Sequence, residues 1–328
     1  MALYLRSIII GFLLAVALAS WFAVIKPAPK KINATNDNAL TASLKAILPQ
    51  PHAAFVIGTL IGSRSGLPKS IRDDFARTST SHITAVSGYN ITLIAGIVGS
   101  VLAYFMRRSY AFWATVIVLI FFLTVTGAQA SVVRATIMGL YALVARQFGR
   151  LPSPSHGLLL TAGIMVALEP RILAYDIGFQ LSFLATAGIF YIVPIIEHWL
   201  PRFSKIPVLG ETFSMTVSAQ IAVLPLLIYY FHSISIVSLP VNLLVLPLIP
   251  FIMISGFIAG VFGLVIPILG QLAATVPHLL SYIVLAVIHK AASFRWAAVE
   301  YNISIFLVFS LYAIALLLLA WYSKVHDE

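Results

Sequence analysis

The longest uncharged run of the chain extends from residue 212 to residue 289 and contains 78 residues. A helix needs about 20 apolar residues to cross the hydrocarbon core of a bilayer, so this run has room for three or four crossings. Across the whole chain 61% of the residues are hydrophobic and 9% are charged, whereas soluble domains carry roughly 25% charged residues. The sequence therefore predicts an integral membrane protein.

The apolar windows are apolar on every face, which favours helices over the alternating strands of a membrane barrel. We expect an all-α, polytopic bundle of about ten spans, with interrupted or re-entrant helices. The windows cover residues 8–25, 83–106, 110–126, 131–145, 155–168, 177–196 and 212–231, two to four helices within 235–289, and residues 301–322.

Three regions are predicted along the chain. Residues 1–25 are expected to form an uncleaved membrane anchor, with a cleaved signal peptide as the alternative. Residues 26–81 are interpreted as an exposed linker with interfacial amphipathic segments, and residues 82–328 as the membrane core. Basic residues concentrate in alternate loops of that core, which the positive-inside rule places in the cytoplasm. They are Arg107, Arg108, Arg146, Arg150, Arg202 and Lys205, against Arg171 alone in the intervening loops.

Three polar patches interrupt the apolar sequence, at residues 81–90, 131–135 and 176–182. A polar side chain at membrane depth is costly unless it faces a partner or a water-filled cavity, so such residues are candidates for function. The predicted topology places all three patches in the outer half of the membrane, where we expect them to converge on a polar path. The candidate path residues are His82, Ser87, Gly88, Asn90, Arg134, Asp176, Gln180, Ser182 and Asn242.

Two specific contacts are expected within these patches. Arg134 is expected to pair with Asp176, and Gln180 to line the path because it shares a helical face with Asp176. A structural interpretation remains open for each of these residues. Arg134 either reaches the lipid headgroups or only neutralises Asp176. The serines pack helices against one another, and His82 lies at the membrane interface.

Several kinds of chemistry find no support in the sequence. It contains no phosphate-binding loop, so the chain is not expected to drive transport by binding a nucleotide there. The eight histidines are scattered and there are no cysteines, so neither a metal site nor any other cofactor is expected. A triad of Ser87, His82 and Asp176 lacks a nucleophile-elbow motif. We expect no catalytic activity.

At these residues the sequence resembles the ComEC family of competence membrane proteins. The segments that carry the resemblance, in chain order, are residues 60–62, 82–90, 126–127, 131–138, 149–150, 169–170, 176–185 and 219–225, with Asn242 and Pro247. The resemblance covers roughly residues 53–250. The OB-like domain that many members carry, and their metallo-β-lactamase-like nuclease domain, find no counterpart in this sequence.

The resemblance implies a multi-pass channel in the plasma (inner) membrane of a bacterium that passes single-stranded DNA into the cytoplasm during natural transformation. The implied partners are single-stranded DNA, the lipid bilayer, a separate cytoplasmic ATP-dependent DNA motor, and DNA receptor or pilus components. A separate nuclease and a homo-oligomeric assembly are left open. Cationic groups and aromatic faces typically guide single strands, and the candidates are Arg64, Lys69, Arg72, Arg77, Tyr89 and Phe179.

Two other functions are kept as alternatives. The first is a small-molecule or ion transporter that uses an Arg134 and Asp176 pair as a gate or proton-coupled switch. The second is a membrane-embedded hydrolase. Salt-dependent binding of oligonucleotides favours the channel, and pH-dependent flux of a small solute favours the transporter.

Overall fold

The computed structural model describes residues 38–63, 66–84, 88–126, 130–204 and 206–326. Within these ranges the chain is almost entirely helical, with one small two-stranded sheet. The predicted all-α class is therefore confirmed for the part of the chain that the structure describes. The expected anchor at residues 8–25 lies outside the described residues.

The helices are numbered here in chain order. They are α1 (Ala39–Ile47), α2 (His52–Ile61), α3 (Lys69–Arg77), α4 (Gly88–Phe105), α5 (Arg108–Val125), α6 (Ala130–Gln147), α7 (Pro154–Leu168), α8 (Ile172–Tyr175), α9 (Ile177–Trp199), α10 (Pro201–Ser204), α11 (Leu209–Phe231), α12 (Ser238–Val245), α13 (Ile249–Val265), α14 (Pro267–Ala292) and α15 (Ile305–His326). Short 3-10 helices occupy Ser81–Thr84 and Leu246–Leu248, and the strands are β1 (Ser233–Ser235) and β2 (Ala298–Glu300).

Four helical segments of the described residues are long and apolar enough to cross a membrane. They are Ile177–Trp199, Leu209–Phe231, Ser238–Val265 and Pro267–Ala292, the third of which combines α12, the 3-10 turn and α13. Their mean hydropathy lies between 1.5 and 2.4. The chain is thus an integral membrane protein, and the expected total of about ten spans stays a prediction.

The long uncharged run divides between two long helices at Pro267. α13 ends at Val265 and α14 begins at Pro267, with the extended residue Ile266 between them. Proline fits the first turn of a helix because the N–H that it lacks has no partner there, so Pro267 favours a helix that begins at this point. The window at residues 235–289 therefore contains two long segments.

The small sheet fixes the ends of four helices relative to one another. β1 pairs antiparallel with β2, with Ser233 opposite Glu300 and Ser235 opposite Ala298. β1 lies between α11 and α12, and β2 lies between α14 and α15. The pairing therefore brings the end of α11 and the segment that follows α14 to the same end of the bundle.

The largest core joins the two ends of the described chain. It includes residues from Leu44 to Ile83 and from Val237 to Ala297, because α1 and α2 pack against α13 and α14. All α2 residues from Ala53 to Ile61 are buried. A division between a linker and a membrane core at residue 82 stays a prediction, and the packing on both sides of that point is continuous.

Candidate functional site

The polar residues of the predicted path lie on helices that contact one another in series. α4 packs against α6, α6 against α9, α9 against α11, and α11 against α12. Arg134 lies on α6, Gln180 and Ser182 lie on α9, and Asn242 lies on α12. We define the candidate site as the polar side chains of α6, α9, α11 and α12 at these contacts.

Arg134 is the most deeply buried cation in the described part of this site. Its side chain is 8% exposed. Nη1 donates a hydrogen bond of 3.1 Å to the backbone carbonyl of Ser182, and the guanidinium carbon lies 5.8 Å from the ring centroid of Phe183. These contacts join α6 to α9 through a charged hydrogen bond and a cation–π contact.

The surroundings of Arg134 are apolar. Met165, Phe179 and Phe183 form a buried cluster between α7 and α9, and the two phenylalanine rings lie with centroids 4.3 Å apart. The Nε atom of Arg134 is buried without a hydrogen-bond partner among the described residues. A guanidinium keeps its charge even when buried, so the site holds a positive charge whose hydrogen-bonding capacity is incompletely used.

Asp176 does not pair with Arg134, which corrects the expectation drawn from the sequence. No ion pair joins these two residues in the described structure. The Asp176 side chain instead caps α9, where Oδ1 accepts a hydrogen bond of 2.9 Å from the backbone N–H of Phe179. Asp is a preferred residue at this position because its carboxylate satisfies an N–H group that has no partner within the helix.

Gln180 also has a different role from the expected one. Its Nε2 donates to the carbonyl groups of Leu173, at 2.7 Å, and Ala174, at 3.2 Å. Its Oε1 accepts a hydrogen bond of 2.9 Å from the Tyr230 hydroxyl. The amide therefore ties α8 and α11 to α9, and it is not a solvated group lining a path in this structure.

We predict that Arg134 and Asp176 are thermodynamically independent. Asp176→Ala should lower the free energy of unfolding by about 1 kcal/mol, the usual cost of losing a helix cap, and Asp176→Asn should cost less because asparagine also caps helices. Combining Asp176→Asn with Arg134→Met should give additive changes in unfolding free energy, measured in detergent. A coupling energy of about 1 kcal/mol or more would contradict this prediction and support the ion pair that the sequence suggested.

We predict that Gln180→Leu lowers stability by about 0.6 to 2 kcal/mol, because hydrogen bonds between membrane helices are worth about that much. The matched control is Gln271→Leu, the same chemical change at an exposed position of α14. Thermal unfolding in detergent measures both variants. Equal stability of the two variants would show that the Gln180 bonds contribute nothing measurable.

A third polar cluster joins α11 to α12. The Gln220 side-chain amide donates to the Ser238 hydroxyl at 2.7 Å, and the Asn242 amide donates to the same oxygen at 3.3 Å. Asn242 is only 3% exposed, and its Oδ1 is buried without a partner among the described residues. Asn242 therefore holds an unused acceptor inside the bundle, beside two hydrogen-bonded neighbours.

The first polar patch is described only in part. His82 lies exposed in the 3-10 helix, and its Nδ1 is 3.2 Å from the Ser79 carbonyl. Ser87 lies outside the described residues, and so do the side chains of Tyr89 and Asn90, which follow Gly88 in the first turn of α4. The predicted convergence of this patch with Arg134 stays a prediction.

The residues proposed to guide DNA fall into four groups. Lys69 and Arg72 are exposed on α3. Arg77 is engaged in structure, since its guanidinium donates to the carbonyl groups of Ala292 and Phe294, at 3.0 Å each. Phe179 is 2% exposed and packs against Phe183, so its ring cannot stack on a base in this structure. Arg64 lies outside the described residues.

Sequence reasoning missed the partners that hold these groups. Tyr230 and Phe183 contact Gln180 and Arg134 across helices, and each looks like an ordinary apolar residue in the sequence. Ser238 was visible only as a small polar residue. Within the part of the chain that was described, no group of three histidine, aspartate or glutamate side chains converges to hold a metal ion.

The sequence matches a known protein family. The profile described as "Competence protein" matches residues 59–325. The chain is 27% identical over 218 residues to ComE operon protein 3 of Bacillus subtilis (strain 168), which covers 66% of this chain and 27% of that protein. It is 26% identical over 238 residues to the uncharacterized protein YcaI of Escherichia coli (strain K12), covering 67% of this chain and 30% of that protein.

The chain thus spans less than a third of the length of these two curated relatives. No solved structure matches it significantly.

Proposed function

Because the chain belongs to the Competence protein family, whose profile matches residues 59–325, we propose that it acts in DNA uptake as a multi-pass protein of the bacterial inner membrane. Its role in this proposal is to pass single-stranded DNA towards the cytoplasm. The family match carries the proposal, since it covers most of the chain and includes every candidate site residue.

The buried Arg134 supports this function on physical grounds. A polyanion that crosses a bilayer needs a compensating positive charge at depth, because a bare charge in hydrocarbon is costly. Arg134 keeps its charge and has an unpartnered Nε atom. In the proposed function, Arg134 is the group that meets a phosphate when the helices around it separate.

The transporter alternative loses its specific support. It depended on an ion pair between Arg134 and Asp176, and Asp176 caps α9 instead. The hydrolase alternative depended on a triad that includes Ser87, which lies outside the described residues, and the sequence around Ser87 carries no nucleophile-elbow motif. We therefore carry one candidate function forward.

The proposed partners follow from the same family membership. The chain offers no nucleotide-binding loop, so a separate cytoplasmic ATP-dependent motor is proposed to pull the strand, and receptor or pilus components are proposed to deliver it. A separate nuclease is proposed to supply strand degradation where it occurs. Homo-oligomeric assembly is left as a property to measure.

The experiment that tests the function is DNA uptake in a deletion strain of the source bacterium. We expect label from internally labelled duplex DNA to bind the cell surface normally and to be absent from the cytoplasm. Expression of this chain from a plasmid should restore cytoplasmic label, and the Arg134→Met variant should not. Normal cytoplasmic label in the deletion strain would contradict the proposal.

Topology gives a further prediction. The loops that contain Arg107, Arg146 and Arg202 are proposed to face the cytoplasm, because basic residues concentrate there. The chain has no cysteine, so single cysteines at these positions can be labelled without background. They should react with an impermeant maleimide only after the membrane is opened, whereas a cysteine in place of Ser233 should react in intact cells.

A further inference from the structure

The loop that follows α14 presents two aromatic rings at the surface. Phe294 and Trp296 are 42% and 55% exposed. Their rings stack, with centroids 5.1 Å apart and planes 20° apart. A flat ligand therefore has access to a pair of rings that already lie in a stacked arrangement. We name residues 293–297 the aromatic loop.

The aromatic loop is held to the bundle by backbone hydrogen bonds. Arg77 of α3 donates to the carbonyl groups of Ala292 and Phe294, at 3.0 Å each. The Ala297 N–H donates to the Phe294 carbonyl at 3.0 Å, and the Ala297 carbonyl accepts from the Ile236 N–H at 3.0 Å. The rings are therefore preorganised, which reduces the ordering cost of binding a ligand.

Basic side chains outnumber acidic ones around this loop. Lys290 and Arg295 are exposed and lie within six residues of the rings in the chain, and α3 adds three further exposed cations. One neighbouring acid, Asp74, is already 2.8 Å from His289. The charged residues of α3, of the aromatic loop and of the segments that flank the loop are Lys69, Arg72, Arg77, Lys290 and Arg295, against Asp73, Asp74 and Glu300.

The position of these cations is not explained by membrane topology. The pairing of β1 with β2 places the aromatic loop at the end of the bundle where α11 ends. In the proposed topology that end faces outwards, and the positive-inside rule makes lysine and arginine scarce in such loops. An excess of basic residues there points to an anionic partner.

Resting on the proposed function, we propose that the aromatic loop is the docking platform for the incoming single strand. Bases stack on Phe294 and Trp296, while Arg295 and Lys290 meet the phosphates. Aromatic faces interleaved with cations are the combination that binds single strands without sequence preference. A duplex hides its base faces, so the platform selects single strands over duplex DNA.

The test is binding of a fluorescent oligothymidylate to the full chain in nanodiscs of zwitterionic phosphatidylcholine. We expect the wild-type chain to bind the single strand and to bind a duplex of equal length more weakly. Trp296→Ala should weaken single-strand binding about tenfold, within the range of one base stack. Arg295→Gln should lower the slope of log affinity against log salt by about 0.7, the value for one phosphate contact.

The matched control is Trp199→Ala, which removes an exposed indole at the end of α9 and should leave binding unchanged. If the wild type binds single strands and Trp296→Ala binds equally well, the platform is wrong while the proposed function stands. If the wild type binds no single strand, both the platform and the proposed function are contradicted.

A lipid-facing role of the rings gives a different outcome, because tryptophan also collects at membrane interfaces. The Trp296 contribution to the fluorescence is the part that the Trp296→Phe variant lacks. In a lipid-facing role, brominated lipids would quench this contribution and the oligonucleotide would not. That result would overturn the proposal. Quenching of the same fluorescence by the oligonucleotide is the expected result.

Discussion

Arg134→Met is expected to lower DNA uptake per folded molecule by about ten- to a hundredfold, because hydrogen bonds to charged groups are worth about 1.5 to 3 kcal/mol. Methionine keeps the length of the side chain and removes its charge. The Ser182 carbonyl keeps a partner, since it also accepts a hydrogen bond of 2.8 Å from the Thr186 hydroxyl. The variant should therefore fold.

The stability of this variant separates the two possible roles of Arg134. Replacing a buried charge by an apolar side chain of similar size is often neutral or stabilising, and the neighbours of Arg134 are apolar. We expect thermal stability in detergent to be unchanged or raised while uptake falls. Arg146→Met, an exposed position on the same helix, is the matched control. Normal uptake per folded molecule in Arg134→Met would remove Arg134 from the site.

Gly188→Ala is expected to lower the free energy of unfolding by about 1 to 3 kcal/mol, the usual cost of overpacking a well-packed core. An added Cβ would lie 2.5 Å from the Ala222 Cβ and 2.6 Å from the Ser218 carbonyl oxygen. Both obstacles belong to α11, and the second is backbone, so α9 and α11 would have to separate. Small residues permit such close approach of membrane helices.

The control for this prediction is Gly163→Ala on α7, where an added Cβ meets nothing within 4 Å. There alanine should gain up to about 1 kcal/mol through its higher helix propensity. The two variants make the same chemical change and should shift the thermal midpoint in opposite directions. Equal shifts would mean that α9 and α11 do not pack as closely as the structure shows.

Hydrophobicity made the helices of the described chain predictable. Each apolar window between residues 83 and 231 corresponds to one main helix, because a backbone in lipid must satisfy its hydrogen bonds internally. The start of the first one was predicted too early: residues 81–84 form a 3-10 helix and α4 begins at Gly88. The sheet was missed because strands of three residues leave no recognisable alternation.

The candidate site was harder to predict because sequence gives depth and helical face but not the neighbouring helix. Arg134 and Asp176 were placed at similar depth, yet Arg134 meets a backbone carbonyl and a ring on α9. One signal was available for Asp176, which directly precedes the apolar window at Ile177 and so occupies a favoured capping position.

Gln180 shows the same limit of prediction, because its partner on a neighbouring helix could not be identified from the sequence. Its partner Tyr230 lies 50 residues later in the chain, and no local pattern relates the two. The polar character of Gln180 marked it correctly as a residue that needs a partner at depth. Whether that partner is water, DNA or a second helix depends on packing, which the structure supplies as a hydrogen bond between α9 and α11.

The central claim, that this chain passes single-stranded DNA across a bilayer, is tested most directly in proteoliposomes. The purified chain is reconstituted, a potential positive inside is applied to draw in the polyanion, and labelled DNA is added outside and later digested with external nuclease. The account predicts protected single strands, little protected duplex, and about ten- to a hundredfold less protection in Arg134→Met than in the wild type. Protection of single strands that is the same in the wild type, in Arg134→Met and in empty liposomes would contradict it.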